Sequence, residues 1–134
     1  MDNDGRGTTN LELEEEAKNI TNFRGVFMRD ELNKLKILNN ECGIVNLKPS
    51  WDNNGHWCCW YKNGNAKYYF DSFGVRPPKE VIKYLKSPIM FSTFQIQTFN
   101  ESNCGEWCIY VLKKLSKGEY YTDVIADIVN GRQN

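Results

Sequence analysis

Two aromatic-rich runs, GHWCCWYK at 55–62 and AKYYFDSF at 66–73, stand on either side of Asn63, Gly64 and Asn65. Those three residues tolerate the positive φ of a tight turn, and the flanking aromatics favour a pleated, half-buried surface. The pattern predicts a β-hairpin over about 55–73. A hairpin alone is marginal in water, so the other elements of this 134-residue chain must cover it, and a chain of that length builds one core without staples.

The clearest cover is helical. Cys104, Trp107, Cys108, Val111, Leu112 and Leu115 recur at i, i+3, i+4, i+7, i+8 and i+11, which places them on one buried stripe of a helix over 104–117. Lys113, Lys114 and Lys117 suit its negative C-terminal pole, and Gly118 supplies a left-handed cap. Thr122 is read as the cap of a last short helix ending near Asn130 and Gly131. Thr9 and Glu12 have the spacing of a capping box, so a short acidic helix carrying Leu13, Ala17 and Ile20 begins the domain. A short helix is expected over 29–35, and CGIVNLK at 42–48 reads as a strand. Pro77 and Pro78 open a helix of about eight residues with Val81, Ile82 and Leu85 on one face, stopped by Pro88. The run FSTFQIQTF at 91–99 reads as another strand. These elements make an α+β chain, a central mixed or antiparallel sheet flanked by helices. Segment 1–10 is polar, with little to bury, and is expected to be mobile; 11–134 forms a single domain.

Lysine plus arginine and aspartate plus glutamate each number 17, and neither sign forms a long block. Nucleic acid and anionic membranes are therefore not the default partners. No apolar run reaches the roughly 18 to 20 residues of a membrane span, and glutamates occupy the place of a signal peptide's apolar stretch, so an intracellular location is expected. The cysteines number five, an odd count, and are expected to be reduced.

Three residues point to chemistry when taken together. His56 is the only histidine, at the open end of the predicted hairpin. Asp71 interrupts an apolar run on the other arm, and a carboxylate there is costly unless paired. The hairpin brings His56 and Asp71 near each other, where the carboxylate can orient the imidazole and stabilise its protonated form. Cys104 opens the strongest helix, whose N-terminal pole favours an anionic sulfur. Gly105 beside it leaves backbone amides open to a substrate oxygen, as an oxyanion site requires. Each feature also has a structural reading: a satisfied histidine, a solvated turn aspartate, a buried cysteine. Cys108, one turn further on, reads as a small core residue.

The ordered set GHW (55–57), YYFDSFG (68–74), Gln97 and NCGEWC (103–108) resembles the adenovirus endopeptidase (adenain) family, and more distantly the SUMO-specific Ulp proteases. The likeness extends upstream through FRGVFMRDEL and ECGIVNLKPSWDNNGHW and covers about 23–115. It implies a thiol peptidase with Cys104 as nucleophile, His56 as general base and then acid, Asp71 orienting the imidazole, and Gln97 in the oxyanion hole. Gln95 leaves the same face of an extended strand and competes for that last role; the spacing to Cys104 favours Gln97. Trp57 matches an aromatic placed beside the site in that family, and reads equally as a core tryptophan. About thirty residues follow Cys104, where adenoviral enzymes have more. Adenain's peptide and DNA cofactors are not expected here, given a neutral chain, and the compact size resembles minimal adenain-like proteases of small viruses and virus-like transposons.

The expected activity is cleavage of polypeptide precursors. The rivals are an isopeptidase for ubiquitin-like proteins, which needs a broad exosite, and a catalytically silent module of the same fold. A metal site from Cys42, His56, Cys104 and Cys108 is disfavoured because no CxxC pair is present.

Overall fold

Thr9 closes the N-terminus of the first helix, α1 (Asn10–Ala17), as a capping box: its hydroxyl accepts from the Glu12 amide at 3.2 Å, and the Glu12 carboxylate accepts from the Thr9 amide at 2.9 Å. The structure is a computed structural model describing residues 9–48, 56–96 and 104–132. Residues 1–8 of the N-terminal segment, Gly55, Asn103, Gln97 and the end of the strand expected at 91–99 lie outside the described residues.

After α1 come strand β1 (Phe23–Met28), a 3-10 helix (Arg29–Lys34), β2 (Asn40–Asn46), β3 (Trp57–Asn63) and β4 (Ala66–Phe70). They are followed by α2 (Lys79–Leu85), β5 (Met90–Phe91), α3 (Cys104–Ser116) and α4 (Tyr121–Arg132). The strands form one mixed sheet in the order β1-β2-β3-β4-β5. β2, β3 and β4 are antiparallel neighbours, while β1 and β5 add parallel at the two edges.

The hairpin forms as the sequence predicts, closed by the pair Asn63 and Ala66 around Gly64 and Asn65. Its two-residue period divides the core. Trp57 and Cys59 of β3 face a cluster built with Leu13, Cys108, Val111, Leu112, Ile125 and others from α1, α3 and α4. Cys58 and Trp60 face the opposite cluster with Leu32, Val45, Tyr69, Val81 and Leu85, under the 3-10 helix and α2. Burial of these apolar faces on both sides of the sheet is what holds the layers together. On the second side Glu41, almost fully buried, is satisfied by Arg24 at 3.2 Å, Trp60 Nε1 at 3.0 Å, the Tyr84 hydroxyl at 2.6 Å and the Leu38 amide at 2.5 Å. A buried carboxylate needs such a set of donors.

Several expectations shift. The segment Phe23–Met28 forms a strand that the sequence pattern does not show, and the helix expected at 29–35 is a 3-10 helix. Of the strand expected at 91–99, the described residues place only Phe91 in a ladder, with Met90 before it, paired with Tyr68 and Tyr69, and Ser92–Ile96 runs outside any ladder with Phe94 exposed. The chain leaves β4 there because it is drawn to the turn after β4, where the Ile96 amide donates to the Ser72 carbonyl at 2.8 Å. Thr122 sits inside α4 rather than capping it, since the helix begins at Tyr121. Tyr121 anchors α4 to the sheet by donating from its hydroxyl to the Tyr69 carbonyl at 2.6 Å.

Candidate active site

The open end of the hairpin carries the site. Continuing the β3/β4 register past its last pair, Cys59 and Phe70, sets Cys58 opposite Asp71, Trp57 opposite Ser72 and His56 opposite Phe73. Opposed residues of antiparallel strands project to the same side, so the imidazole, the Asp71 carboxylate, the Cys58 thiol and the Phe73 ring are brought together. His56 Nε2 lies 2.5 Å from Asp71 Oδ1. The same Oδ1 accepts from the Phe73 amide at 2.8 Å, and the Phe73 ring stacks on the imidazole with centroids 3.7 Å apart and planes 6° from parallel.

Asp71 is held by a tight turn: the Gly74 amide donates to the Asp71 carbonyl at 2.9 Å. Gly74 is required there twice over. Its φ is +76°, and a Cβ would come within 2.6 Å of the Thr93 carbonyl oxygen and 2.9 Å of Phe94 backbone atoms. The side chain of Asp71 is fully buried, and its bonds to His56 and Phe73 offset that cost at Oδ1 only.

The sulfur arrives from the other side of the sheet. Cys104 is the first residue of α3, and the Trp57 amide donates to its Sγ at 3.4 Å. One turn on, Cys108 Sγ donates to the Trp57 carbonyl at 3.4 Å. The two thiols thus grip one residue of β3, the neighbour of His56. Burial lowers the proton affinity of His56, but the neighbouring Asp71 and Cys104, which favour its charged form, outweigh that and bring the pKa up to about 9. Nδ1 is buried without a hydrogen-bond partner among the described residues, which leaves it as the ring nitrogen on offer to the sulfur while Nε2 is held by Asp71. Burial also pushes the Cys108 thiol well up, as befits a core residue.

Of the residues marked from sequence, His56, Asp71 and Cys104 come together. Trp57 is 8% exposed and packs its side chain into the first core cluster, meeting the site through its backbone. Gly105 is buried, and a Cβ on it would meet Leu13 Cδ2 at 2.8 Å, so its small size lets α1 pack on α3. Gln97 is outside the described residues; Gln95 is exposed. Phe73 was legible only as one member of an apolar run, and its signal is the register position opposite His56. The five cysteines are all buried and free.

Cys42, His56, Cys104 and Cys108 do not converge into a metal site. Among the described residues, the group of such side chains that does converge is His56, Cys58 and Asp71, with donor atoms within 4.8 Å of one another. At 2.5 Å the His56 and Asp71 atoms are directly hydrogen-bonded, and that spacing is too short to admit an ion between them. One cavity of about 740 Å³ lies between the 3-10 helix and α2 and another of about 470 Å³ between β5 and α4; neither of these is lined by His56, Asp71 or Cys104. No helix among the described residues is long and apolar enough to cross a membrane.

The described residues form a mixed five-stranded sheet flanked by helices. It is similar to the crystal structure of the ASFV pS273R protease, with a TM-score of 0.66 and 17% sequence identity over 92% of this chain, and to the selenomethionine form of that protease, with a TM-score of 0.65 and 16% identity. This chain spans 62% and 63% of those two chains. No family model and no curated protein matches the sequence. The likeness is one of fold.

Proposed function

We propose that the chain is a thiol endopeptidase that cleaves polypeptide precursors, with Cys104 as nucleophile, His56 as proton carrier, Asp71 as its orienting partner and Gln97 in the oxyanion hole. The observation that carries the reading is the convergence of a sulfur at a helix start, an imidazole with one nitrogen to spare, and a buried carboxylate on the other nitrogen. The protease-like fold supports it, as does the ordered likeness to adenain in the sequence.

The Cys104 thiolate attacks the scissile carbonyl carbon, and the carbonyl electrons move onto oxygen, where Gln97 and backbone amides at the start of α3 stabilise them. His56 gives its Nδ1 proton to the leaving amine as the C–N bond breaks, which leaves an acyl thioester on Cys104. A water then attacks the thioester, His56 takes its proton, and the carboxylic product departs with the thiolate restored. Throughout, Asp71 holds the ring in position and stabilises its positive form.

The test is Cys104→Ala against wild type on a peptide library and on precursor polypeptides. Loss of cleavage with an unchanged circular dichroism spectrum is expected; cleavage that persists overturns the proposal, and hydrolysis confined to conjugates of ubiquitin-like proteins replaces it with an isopeptidase. A silent module is tested by alkylation at neutral pH. Cys104 is 7% exposed while the other four cysteines are at 0–1%, so it should label first; uniform labelling favours the silent module.

A further inference from the structure

Cys58 has no part in the reaction just described, yet its sulfur lies within 4.8 Å of both the imidazole and the Asp71 carboxylate. The side chain is fully buried on β3, directly across the continued register from Asp71. Two polar atoms nearby have no hydrogen-bond partner among the described residues: Asp71 Oδ2 and the Tyr69 hydroxyl, both buried. Asp71 spends Oδ1 on His56 and the Phe73 amide, so Oδ2 is an anionic acceptor without a donor. Such an atom is costly to bury, and Cys58 is a donor on the same side of the sheet.

We propose that Cys58 is a positioning residue of the site: its S–H donates to Asp71 Oδ2, fixes the carboxylate plane, and sets how strongly Oδ1 grips the imidazole. Burial first, and then the charge of Asp71, push the Cys58 thiol well above its ordinary range against the opposing pull of Tyr69, so the thiol keeps the proton it donates. The titratable groups that act on this cluster are His56, Cys58 and Cys59 around β3, Tyr69 and Asp71 on the β4 side, Cys104 and Cys108 from α3, and Tyr121 from α4.

The consequence is a limit on His56. A carboxylate that accepts from a second donor holds an imidazolium less tightly, and a ring held less tightly releases its proton more readily to a leaving amine. Deleting the thiol should therefore raise the imidazole titration midpoint and slow proton delivery, acting on kcat with little change in KM.

The inference rests on the proteolytic reading of His56 and Asp71, and one measurement separates the two. His56 is the only histidine, so its ring gives a single set of NMR signals to follow with pH. Wild type, Asp71→Asn, Cys58→Ala and Cys58→Ser are titrated side by side, with kcat and KM measured on a cleaved peptide. We expect Cys58→Ala to move the midpoint up by about half a pH unit, and Cys58→Ser, which restores a donor, to return it toward wild type. Should Cys58→Ala fail to fold, Cys58→Val fills the space without a donor and reads the same quantity. A midpoint in Cys58→Ala or Cys58→Val identical to wild type overturns the role of Cys58 while leaving the proteolytic site intact. A midpoint that Asp71→Asn does not lower overturns the His56–Asp71 pairing itself.

Discussion

Phe73 lies flat against His56, with ring centroids 3.7 Å apart and planes 6° from parallel, and its amide holds Asp71 Oδ1 at 2.8 Å. One residue therefore fixes both the ring and the carboxylate that orients it. Removing the ring by Phe73→Ala leaves the amide in place but frees one face of the imidazole. A cation over an aromatic face gains about 0.5–1 kcal/mol or more, so the His56 midpoint should fall by up to about half a unit or somewhat beyond. Turnover should drop about tenfold through lost orientation of the ring. NMR titration and steady-state kinetics on the same variant check both; an unmoved midpoint would show the stack to be passive.

His56 makes stability depend on pH in a defined window. Its folded pKa is raised from 6.5 to about 9, so below 6.5 folded and unfolded chains both carry the proton and the contribution is complete. As pH rises from there through 9 only the folded chain holds it, and about 3 kcal/mol of stability is lost. Urea titrations at pH 6 and pH 9.5 should show that fall in wild type and much less of it in Asp71→Asn. A stability that is level across the window contradicts the raised pKa.

Glu41 supports the face of the sheet that packs under α2, at the far end of β3 from His56. With Arg24, Trp60, Tyr84 and the Leu38 amide all directed at it, Glu41→Leu leaves several buried donors unsatisfied and should cost about 3 kcal/mol. Because this network is remote from His56, the imidazole midpoint should stay where it is. Chemical denaturation gives the first quantity and NMR the second.

Gly43 and Gly105 should respond differently to alanine. A Cβ on Gly43 would lie 2.4–2.9 Å from three atoms of the Trp60 ring, which is rigid and fully packed, and overpacking of that kind costs about 1–3 kcal/mol. At Gly105 the nearest atom is the end of the Leu13 side chain, which can turn aside, so Gly105→Ala should cost less than Gly43→Ala. Thermal midpoints of the two variants decide it. If Gly105→Ala is stable yet slow, the residue serves the oxyanion as well as the packing.

The parts of the fold that local signals specify were readable before any coordinates. The hairpin follows from its aromatics and turn residues, the capping box of α1 from Thr9 and Glu12, and α3 from its stripe. β1 was not readable because every residue of 23–28 is half-buried, so no alternation shows, and a bulge between Phe23 and Val26 breaks its register with a strand it meets in parallel. Over the described residues 91–96 the alternation overstated β5, since large apolar residues also line an irregular segment tied to a turn. His56 and Asp71 were legible as a pair because they stand together at the open end of one hairpin. Cys104 was legible by its place at a helix start, but its contact with the Trp57 amide comes from packing α3 on β3, which no local pattern encodes.

That contact bears on how the site withstands deformation. Cys104 receives from the amide of Trp57 and Cys108 donates to its carbonyl, so a single peptide-bearing residue is clasped by the first two turns of α3. Any sliding or tilting of the helix drags Trp57, and with it the adjoining His56, in the same direction. Sulfur and imidazole then travel as one body, and their separation is preserved under strains that would pull apart a nucleophile and base mounted on independent supports.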